Sequence, residues 1–314
     1  MKEINKERMI RLIESELTPD KKIRTTSLGK NHIYVFTFRD APNLMTEVAQ
    51  LRALTYRASG GGTGKTLDLD QYDVSQIPFR QLIVWNPEKK EIIGGYRFTR
   101  CKDHIDFNGT VYRSPFSEHF ILSNTFIRRY LPFSIELGRA WIHPKYQALN
   151  GEKAALYALD NLWEGIGAVI QKNPQVCYLF GKITIYNQYP EKGRDLLLWF
   201  FDHYYRDNTN LAKPRYPVEY NPDCAGHFSF TMDDKKHDFN ILVRSLKSLN
   251  CRIPPLVKAY LNLSDKIIIT KATFNQHFGN AYEPGIILDV SWIHNNKRSR
   301  YIQARVESDC YALA

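Results

Sequence analysis

The sequence predicts an α/β fold (α+β, with a mixed sheet) in which a single central sheet is flanked by helices. The order of elements is the first reason: helix, hairpin, strand–helix, strand–helix and a closing strand pair. Size is the second, since 314 residues with 43% hydrophobic content suffice for one large domain or two small ones. The third is the stretch 133–163, where a buried strand leads through a short polar turn into a long apolar helix pattern.

The first hundred residues contain two helices and three strands. Residues 3–17 carry isoleucine and leucine near helical spacing with charges between them, which predicts an amphipathic helix. Residues 33–38 alternate as a strand does, and residues 43–59 return to a helical period. The runs 81–85 and 92–99 are separated by an Asn-Pro turn and predict a hairpin.

The middle of the chain repeats a strand–helix unit. Residues 116–124 are short and ambiguous. Residues 134–142 read as a buried strand and 152–170 as the helix behind it. Residues 177–185 and 192–205 predict a second strand and a second helix. This alternation places both strands in the same sheet.

The last third begins with an irregular segment and ends with two strands. Residues 206–235 are rich in Asn, Pro, Asp and Tyr, and 238–249 are weakly helical. Proline at a favoured first-turn position begins a helix over 254–261. Residues 266–273 and 285–292 predict the closing strands.

These elements divide the chain into three parts. We expect an N-terminal amphipathic helix extension, a main domain with an insertion at about 206–250, and a polar tail, at 1–29, 30–293 and 294–314 respectively.

The charge balance favours an acidic partner. The formal net charge is +10, which suits an acidic protein, a phosphorylated ligand, an anionic membrane surface or nucleic acid. A basic protein without such a partner is the alternative. The basic residues are scattered and form no nucleic-acid reader motif, so we expect no nucleic-acid partner.

Cysteine usage and the first residues predict a cytoplasmic protein. The five cysteines are isolated and form no Cys-x-x-Cys pair, as in proteins of a reducing compartment. The first eight residues lack the apolar core of a signal peptide. The longest apolar run, 196–201, is too short to span a bilayer. Peripheral contact with the inner membrane face remains an alternative.

The strand at 134–142 carries two charges and leads to an anion site. It ends at His143-Pro144, because proline cannot donate to a strand ladder. The turn after it and the N–H groups of the following helix suit a phosphate. Glu136 and Arg139 are three residues apart, so a regular strand would point them to opposite faces, whereas a β-bulge would bring them together. A purely structural Asp–Arg and Glu–Arg network is the competing interpretation.

Two other motifs resemble functional sites, but their sequence context favours a structural role. Residues 59–66 nearly spell a P-loop, but a helix precedes them and no helix pattern follows, which favours a simple loop or a mobile one that closes over a substrate. Asp68, Asp70 and Asp73 lack the glycine and glutamate of a calcium loop. Their spacing alone favours solvated turn residues over groups that bind an amine or an arginine. The histidines show no paired ligand spacing, so we expect no metal site.

Several motifs, in this order, resemble one acyltransferase group. Those at 51–56, 68–73, 94–97 and 136–139 are similar to the pattern of N-acyl-homoserine-lactone synthases, which are GNAT-like acyltransferases. The segment Glu136-Leu-Gly-Arg139-Ala-Trp-Ile-His143-Pro144 resembles more closely their relatives, the acyl-carrier-protein-dependent amino-acid N-acyltransferases of ornithine-lipid and glycine-lipid synthesis, often labelled hemolysin-like. Segments at 178–181, 253–261, 278–281 and 286–290 also look similar.

The resemblance implies a GNAT-like fold and an N-acyltransferase that moves a (3-hydroxy) fatty acyl group from acyl carrier protein to the amine of glycine or ornithine, the first step of aminolipid synthesis. Acyl-phosphopantetheine would be a substrate, and we expect no bound cofactor. Together with the residue analysis, it assigns catalysis to Glu136 and Arg139. The expected substrate-binding residues are Arg52, Asp70, Asp73 and Arg97. The expected acyl-phosphopantetheine-binding residues are Ile142, Gln147, Asn150 and Gly151.

Departures from the group and two rival functions stay open. Ala140 stands where serine is common, and Gln147 where arginine is usual in the phosphate turn. One rival is a signal synthase of the acyl-homoserine-lactone type that uses S-adenosylmethionine, against which Pro254-Pro255 argues. The other is a GNAT-like binding module without catalysis.

Overall fold

A computed structural model describes residues 2–105, 112–147 and 153–303, with side chains described from residue 7 and, after the second gap, from residue 157. The helices in this part of the chain are α1 (Lys2–Glu16), α2 (Pro42–Ala58), α3 (Gln71–Val74), α4 (Lys153–Gln171), α5 (Glu191–Tyr204), α6 (Lys235–Ser248), α7 (Pro255–Leu261) and α8 (Asn295–Tyr301). The strands are β1 (Lys22–Thr25), β2 (His32–Phe36), β3 (Arg80–Asn86), β4 (Glu91–Arg100), β5 (Phe120–Leu122), β6 (Ser134–Ile142), β7 (Tyr178–Lys182), β8 (Ala212–Pro214), β9 (Ile268–Asn275) and β10 (Ala281–Asp289).

One mixed sheet organises the molecule. Its strand order is β1-β2-β3-β4-β6-β7-β10-β9, and β5 pairs with β8 in a separate ribbon. Among the described strand pairings, β6 with β7 is parallel and the others are antiparallel. The predicted fold class, a mixed sheet flanked by helices, is confirmed.

Most predicted elements form within a few residues of their expected bounds. The strand predicted at 134–142 is β6 with the same limits, and the predicted hairpin is β3 and β4. The ambiguous segment 116–124 contains the short strand β5.

Structure at both ends of the chain departs from expectation. β1 lies inside the predicted helical extension and pairs with β2. It has one apolar residue, Ile23, and so lacks the alternation that marks a strand. The predicted polar tail begins with α8, which packs on α4 through the buried Tyr301. Gly167 permits this approach, since a Cβ there would lie 2.0 Å from the Tyr301 carbonyl oxygen. The domain limits themselves stay predictions.

The segment 206–250 lies beside the last strand of the sheet. Phe274 N donates to the Tyr216 carbonyl at 2.7 Å, and Val218 N donates to the Ala272 carbonyl at 3.1 Å. Irregular backbone therefore occupies hydrogen-bonding groups of β9, which is one way in which proteins protect a sheet edge.

The two faces of the sheet differ in chemistry. On one face, cross-strand neighbours include Phe98, Leu137 and Gly181, and this face packs against α4 and α7. On the other, Thr99 lies opposite Glu136, and Gln81 lies opposite Arg97. Within the described residues, no helix is long and apolar enough to cross a bilayer.

Candidate active site

A bulge in β6 brings Glu136 and Arg139 to one cavity. The register with β4 pairs Arg97 with Gly138 but Gly95 with Trp141, so β6 has an extra residue between these points. Arg139 lies at that point with φ of +48°, in the left-handed region that few non-glycine residues adopt. Both Glu136 and Arg139 line the same cavity. Of the two alternatives that the sequence leaves open, a regular strand and a β-bulge, the structure has the bulge.

The parallel strands β6 and β7 separate one residue after Glu136. Their register ends at the pair Leu137–Gly181. Residues 138–142 continue to pair with β4 on the other side, while the described register gives them no strand partner toward β7. Residues 138–142 and 182–184 both line the cavity, which opens between the diverging strands.

The cavity has a volume of about 730 Å³ and joins the two faces of the sheet. One end is polar and includes Glu136, Arg139, Lys182 and Glu283. The other end is apolar and lies between the sheet, α4 and α7. The apolar lining includes Leu159, Leu162, Trp163, Leu179, Val257, Leu263, Ile267, Ile286 and Leu288.

Arg52 lies at the centre of an ion-pair network beside the polar end. It is 0% exposed. Its Nε lies 2.9 Å from Asp68 Oδ2, and its Nη2 lies 2.9 Å from Asp73 Oδ2. It also donates to the Asp68 carbonyl and, at 3.2 Å, to Gln81 Oε1. α2 supplies the arginine, and the segment after the glycine loop supplies its carboxylates.

Arg97 and Arg139 extend the same network toward the cavity. Arg97 Nη1 lies 2.7 Å from Asp70 Oδ1 and 3.2 Å from Asp73 Oδ2. Arg139 Nε lies 2.9 Å from Asp68 Oδ2, and its Nη2 lies 3.2 Å from Asp70 Oδ2. The Arg139 guanidinium also lies over the Phe278 ring, with 4.7 Å from Cζ to the centroid.

The network corrects one prediction and qualifies another. The spacing of the three aspartates favoured solvated turn residues, which is wrong for Asp68 and Asp73, since both are buried against arginines. Sequence spacing cannot reveal partners on α2, β4 and β6. The aspartates hold the arginines in place. Direct substrate contact by Arg52, Asp70, Asp73 or Arg97 stays a prediction, and the buried Arg52 is placed to position the others.

The charges of this network depress the pKa of Asp70 and Asp73. Burial alone would raise the pKa of Asp73, but Arg97 and Arg52 hold it below its ordinary value. Asp70 shows the same direction, because Arg97 and Arg139 outweigh its burial.

Glu136 has no arginine partner at ion-pair distance among the described residues. Tyr112 Oη donates to Glu136 Oε2 at 2.7 Å, and the Phe116 backbone N–H donates to Oε1 at 3.1 Å. Burial raises the pKa of Glu136, and hydrogen bonds from Ser114, Tyr112 and Phe116 offset only part of this. A carboxylate with a raised pKa is a stronger base, which suits a proton acceptor.

The predicted phosphate turn is only partly within the described residues. Ile142 and Gln147 line the cavity, and Gln147 Nε2 donates to the Ile142 carbonyl at 3.1 Å. Asn150 and Gly151 lie outside the described residues. The binding roles of these four residues stay predictions.

The glycine loop packs on the mouth of the cavity. Gln188 Nε2 donates to the Ser59 carbonyl at 2.7 Å. A Cβ on Gly61 would lie 2.2 Å from the Tyr186 ring, and one on Gly279 would lie 2.7 Å from Gly61 Cα. The loop follows α2 and precedes the four-residue α3, so it lacks the strand-to-helix setting of a P-loop.

Sequence reasoning missed two groups that line the cavity. Lys182 and Glu283 form an ion pair of 2.7 Å at the polar end. Tyr96 and Tyr260 bring their hydroxyls to 3.0 Å of each other at the apolar end. Members of each group lie about a hundred or more residues apart, so no local motif signals them. In the described ranges, no cluster of three or more His, Cys, Asp or Glu side chains has the arrangement of a metal site.

Comparison with known proteins agrees with this geometry. The acetyltransferase (GNAT) domain family matches residues 51–156, which include the end of α2, the network and the bulge. A glycine N(alpha)-acyltransferase of Phocaeicola vulgatus is 40% identical over 304 residues, covering 96% of this chain and 93% of that protein. One of Bacteroides thetaiotaomicron is 41% identical over 315 residues, covering 100% and 93%.

Among solved structures, the CoA-dependent acyl-homoserine lactone synthase MesI is similar with a TM-score of 0.36 and 9% identity, covering 88% of this chain and 99% of that one. The full-length similarity to the two curated relatives is what decides the family. The chain belongs to the glycine N(alpha)-acyltransferase family, has the GNAT fold and is an N-acyltransferase.

Proposed function

We propose that this enzyme transfers a long-chain acyl group from the phosphopantetheine thioester of acyl carrier protein to the amine of glycine. The observation that carries the proposal is the cavity that joins Glu136 on the polar face to an apolar chamber on the other. Its volume of about 730 Å³ lies in the roughly 300–1,000 Å³ range of small-molecule sites.

The separation of β6 from β7 gives the donor its path. Residues 138–142 have backbone groups on the side facing β7 with no strand partner in the described register. The amides of a pantetheine arm would add to this edge as a peptide adds to a sheet. The thioester carbonyl would then lie at the bulge, where backbone N–H groups would stabilise the oxyanion.

Glu136 is the proposed base for the chemical step. The neutral amine of the acceptor attacks the thioester carbon, a C–N bond forms and the C–S bond breaks. The carboxylate of Glu136 accepts the proton from the amine, directly or through one water molecule, and the pantetheine sulfur leaves and is protonated. Arg139 orients the reacting groups from the bulge.

The apolar chamber has the chemistry to hold a fatty chain. The hydroxyl groups of Tyr96 and Tyr260 in its wall would form hydrogen bonds with a hydroxyl group on that chain. Tyr96 and Tyr260 are buried in the cavity wall and are bonded to each other. Burial raises the pKa of both phenols, so they stay neutral donors and acceptors. Each phenol oxygen can also accept a hydrogen bond, which supports a 3-hydroxyacyl donor.

Glycine is favoured over ornithine as acceptor because the two curated relatives are named for it. The product, an N-acyl amino acid with a free hydroxyl on its chain, is a substrate for a second acyl transfer. We therefore place this reaction as the first step of aminolipid synthesis. The net charge of +10 favours docking of an acidic carrier protein.

Product analysis tests the proposal. The purified protein is incubated with long-chain acyl and 3-hydroxyacyl thioesters, each on acyl carrier protein and on coenzyme A. Glycine, ornithine, serine and S-adenosylmethionine serve as acceptors, and mass spectrometry identifies the products. N-(3-hydroxyacyl)glycine from the carrier-protein donor is the expected product. Preference for ornithine, for S-adenosylmethionine or for the coenzyme A donor would replace that part of the proposal.

A further inference from the structure

A second charged group faces the cavity opposite the arginine network. Lys182 Nζ lies 2.7 Å from Glu283 Oε2. Thr184 Oγ1 donates to Glu283 Oε1 at 3.1 Å, and Asn275 Nδ2 donates to Oε2 at 2.9 Å. Lys182 Nζ also lies 3.3 Å from His119 Nδ1. Lys182, Thr184 and Glu283 all line the cavity.

A buried ion pair of this kind is weak evidence for a contribution to the stability of the fold. Removing two charges from water is costly, and a buried pair is often no more stable than apolar residues of similar volume. Glu283 is 3% exposed, whereas the Lys182 side chain keeps 15% of its surface open. The carboxylate of Glu283 is therefore enclosed by protein, whereas the ammonium group of Lys182 is partly open to the cavity.

Lys182 has fewer charged partners than the other buried cations of the site. The guanidinium groups of Arg52, Arg97 and Arg139 each lie at ion-pair distance from two carboxylates. Lys182 faces one carboxylate and the imidazole of His119. Burial, and then the Lys182 charge, lower the pKa of His119, so this ring is neutral near pH 7.

We propose that Lys182 binds the carboxylate of the acceptor amino acid, with Glu283, Thr184 and Asn275 as positioning residues that hold its ammonium group. This inference rests on the proposed function and names the recognition element of the same site. An ammonium group carries three donors, so a donor beyond the one directed at Glu283 serves the ligand.

The strand register places the two ends of such an acceptor. Glu136 lies directly across from Phe180, and Lys182 follows two residues later on β7. Because the register ends at Leu137–Gly181, Lys182 lies where the two strands have begun to separate. An α-amino acid placed between them presents its amine to Glu136 and its carboxylate to Lys182. The acceptor and the base then meet at the point where the strands separate.

Glu283 also contributes to selectivity. Burial alone would raise its pKa, but Lys182 first, and then Asn275, hold the pKa below its ordinary value, so it is ionised. A fixed negative charge beside the binding lysine disfavours acceptors that carry a second carboxylate. Amines without a carboxylate offer no negative group to Lys182, so they lack this contact.

The test compares glycine with glycinamide, which keeps the amine and lacks the negative charge. Rates are measured for wild type, for Lys182→Met and for Lys182→Met/Glu283→Gln. The double variant removes both charges, so it avoids an unpaired buried carboxylate. The glutamine amide keeps one acceptor oxygen where the carboxylate of Glu283 has two. Lys192→Met, at an exposed position on α5, is the matched control.

Wild type is expected to prefer glycine by roughly 10–100-fold in kcat/KM, the range of a hydrogen bond to a charged group. In the double variant KM for glycine rises, kcat stays within a few-fold, and the preference falls toward unity, while Lys192→Met keeps it. A folded double variant with the wild-type preference would overturn this inference alone. Wild type that acylates no amine would overturn the proposed function, and this inference with it.

Discussion

The arginine network and Glu136 place buried charges on neighbouring strands in opposite electrostatic settings. Asp73 meets two guanidinium groups, which hold its pKa down. Glu136 meets a phenol and a backbone N–H, and burial raises its pKa. Full charge compensation fixes a protonation state, whereas neutral hydrogen-bond donors leave the carboxylate able to accept a proton. The first setting suits a structural role, and the second suits a proton acceptor.

Replacing Glu136 should produce the largest effect on catalysis. Glu136→Gln removes the proton acceptor and keeps its shape, so kcat should fall by about 10²–10⁴-fold. Because the folded-state pKa is raised, the stability contributed by the protonated form is lost as pH rises through that pKa, and Gln lacks this loss. The melting temperature at neutral pH should therefore be equal or higher. Unchanged turnover in a folded variant would remove Glu136 as the base.

Breaking the network should act on stability instead. Arg52→Met leaves Asp68 and Asp73 buried with less compensation, which costs about 3–5 kcal/mol of unfolding free energy. The depressed pKa of Asp73 contributes stability above its unfolded-state pKa that is lost as pH falls through the folded value, so acid unfolding of the variant should begin at higher pH. Arg57→Met, exposed on the same helix, should change stability by less than about 0.5 kcal/mol. Equal losses in both variants would contradict this.

Tyr112→Phe should shift the pH dependence with a smaller effect on rate. Its hydroxyl stabilises the ionised form of Glu136, so its removal raises the pKa of the base further. The acidic limb of kcat/KM should move to higher pH, with activity recovered at alkaline pH. The profile is measured beside that of Tyr216→Phe, an exposed tyrosine. An unmoved limb would show that Glu136 does not control it.

The tyrosine pair is a third setting, in which both partners are neutral. Tyr96→Phe should reduce the preference for a 3-hydroxyacyl donor over a plain acyl donor by about 2–10-fold, the value of one neutral hydrogen bond. Tyr260→Phe should act in the same direction because the two hydroxyls are bonded. Competition between the two donors gives the ratio directly. A preference that survives in both variants would place the chain hydroxyl elsewhere.

The sequence was informative where the evidence was local. β6 followed from one apolar run that ends at a proline, and its bulge from two charges three residues apart. β1 and α3 were missed because four residues carry too little periodicity. The burial of Asp68 and the pairing of Lys182 with Glu283 depend on residues far away in the chain. A single sequence predicts which residues could do chemistry better than it predicts which partners set their charge.

The brief pairing between β6 and β7 has a consequence for the cohesion of the molecule. Four register pairs, from Ser134–Tyr178 to Leu137–Gly181, join a five-stranded part of the sheet to a three-stranded part. An extended donor arm lodged in the gap would act as a ninth strand between them. Amide hydrogens of 138–142 should then exchange with solvent more slowly when the donor is bound, and the melting temperature should rise with donor concentration. While it is bound, the donor substrate would form part of the sheet.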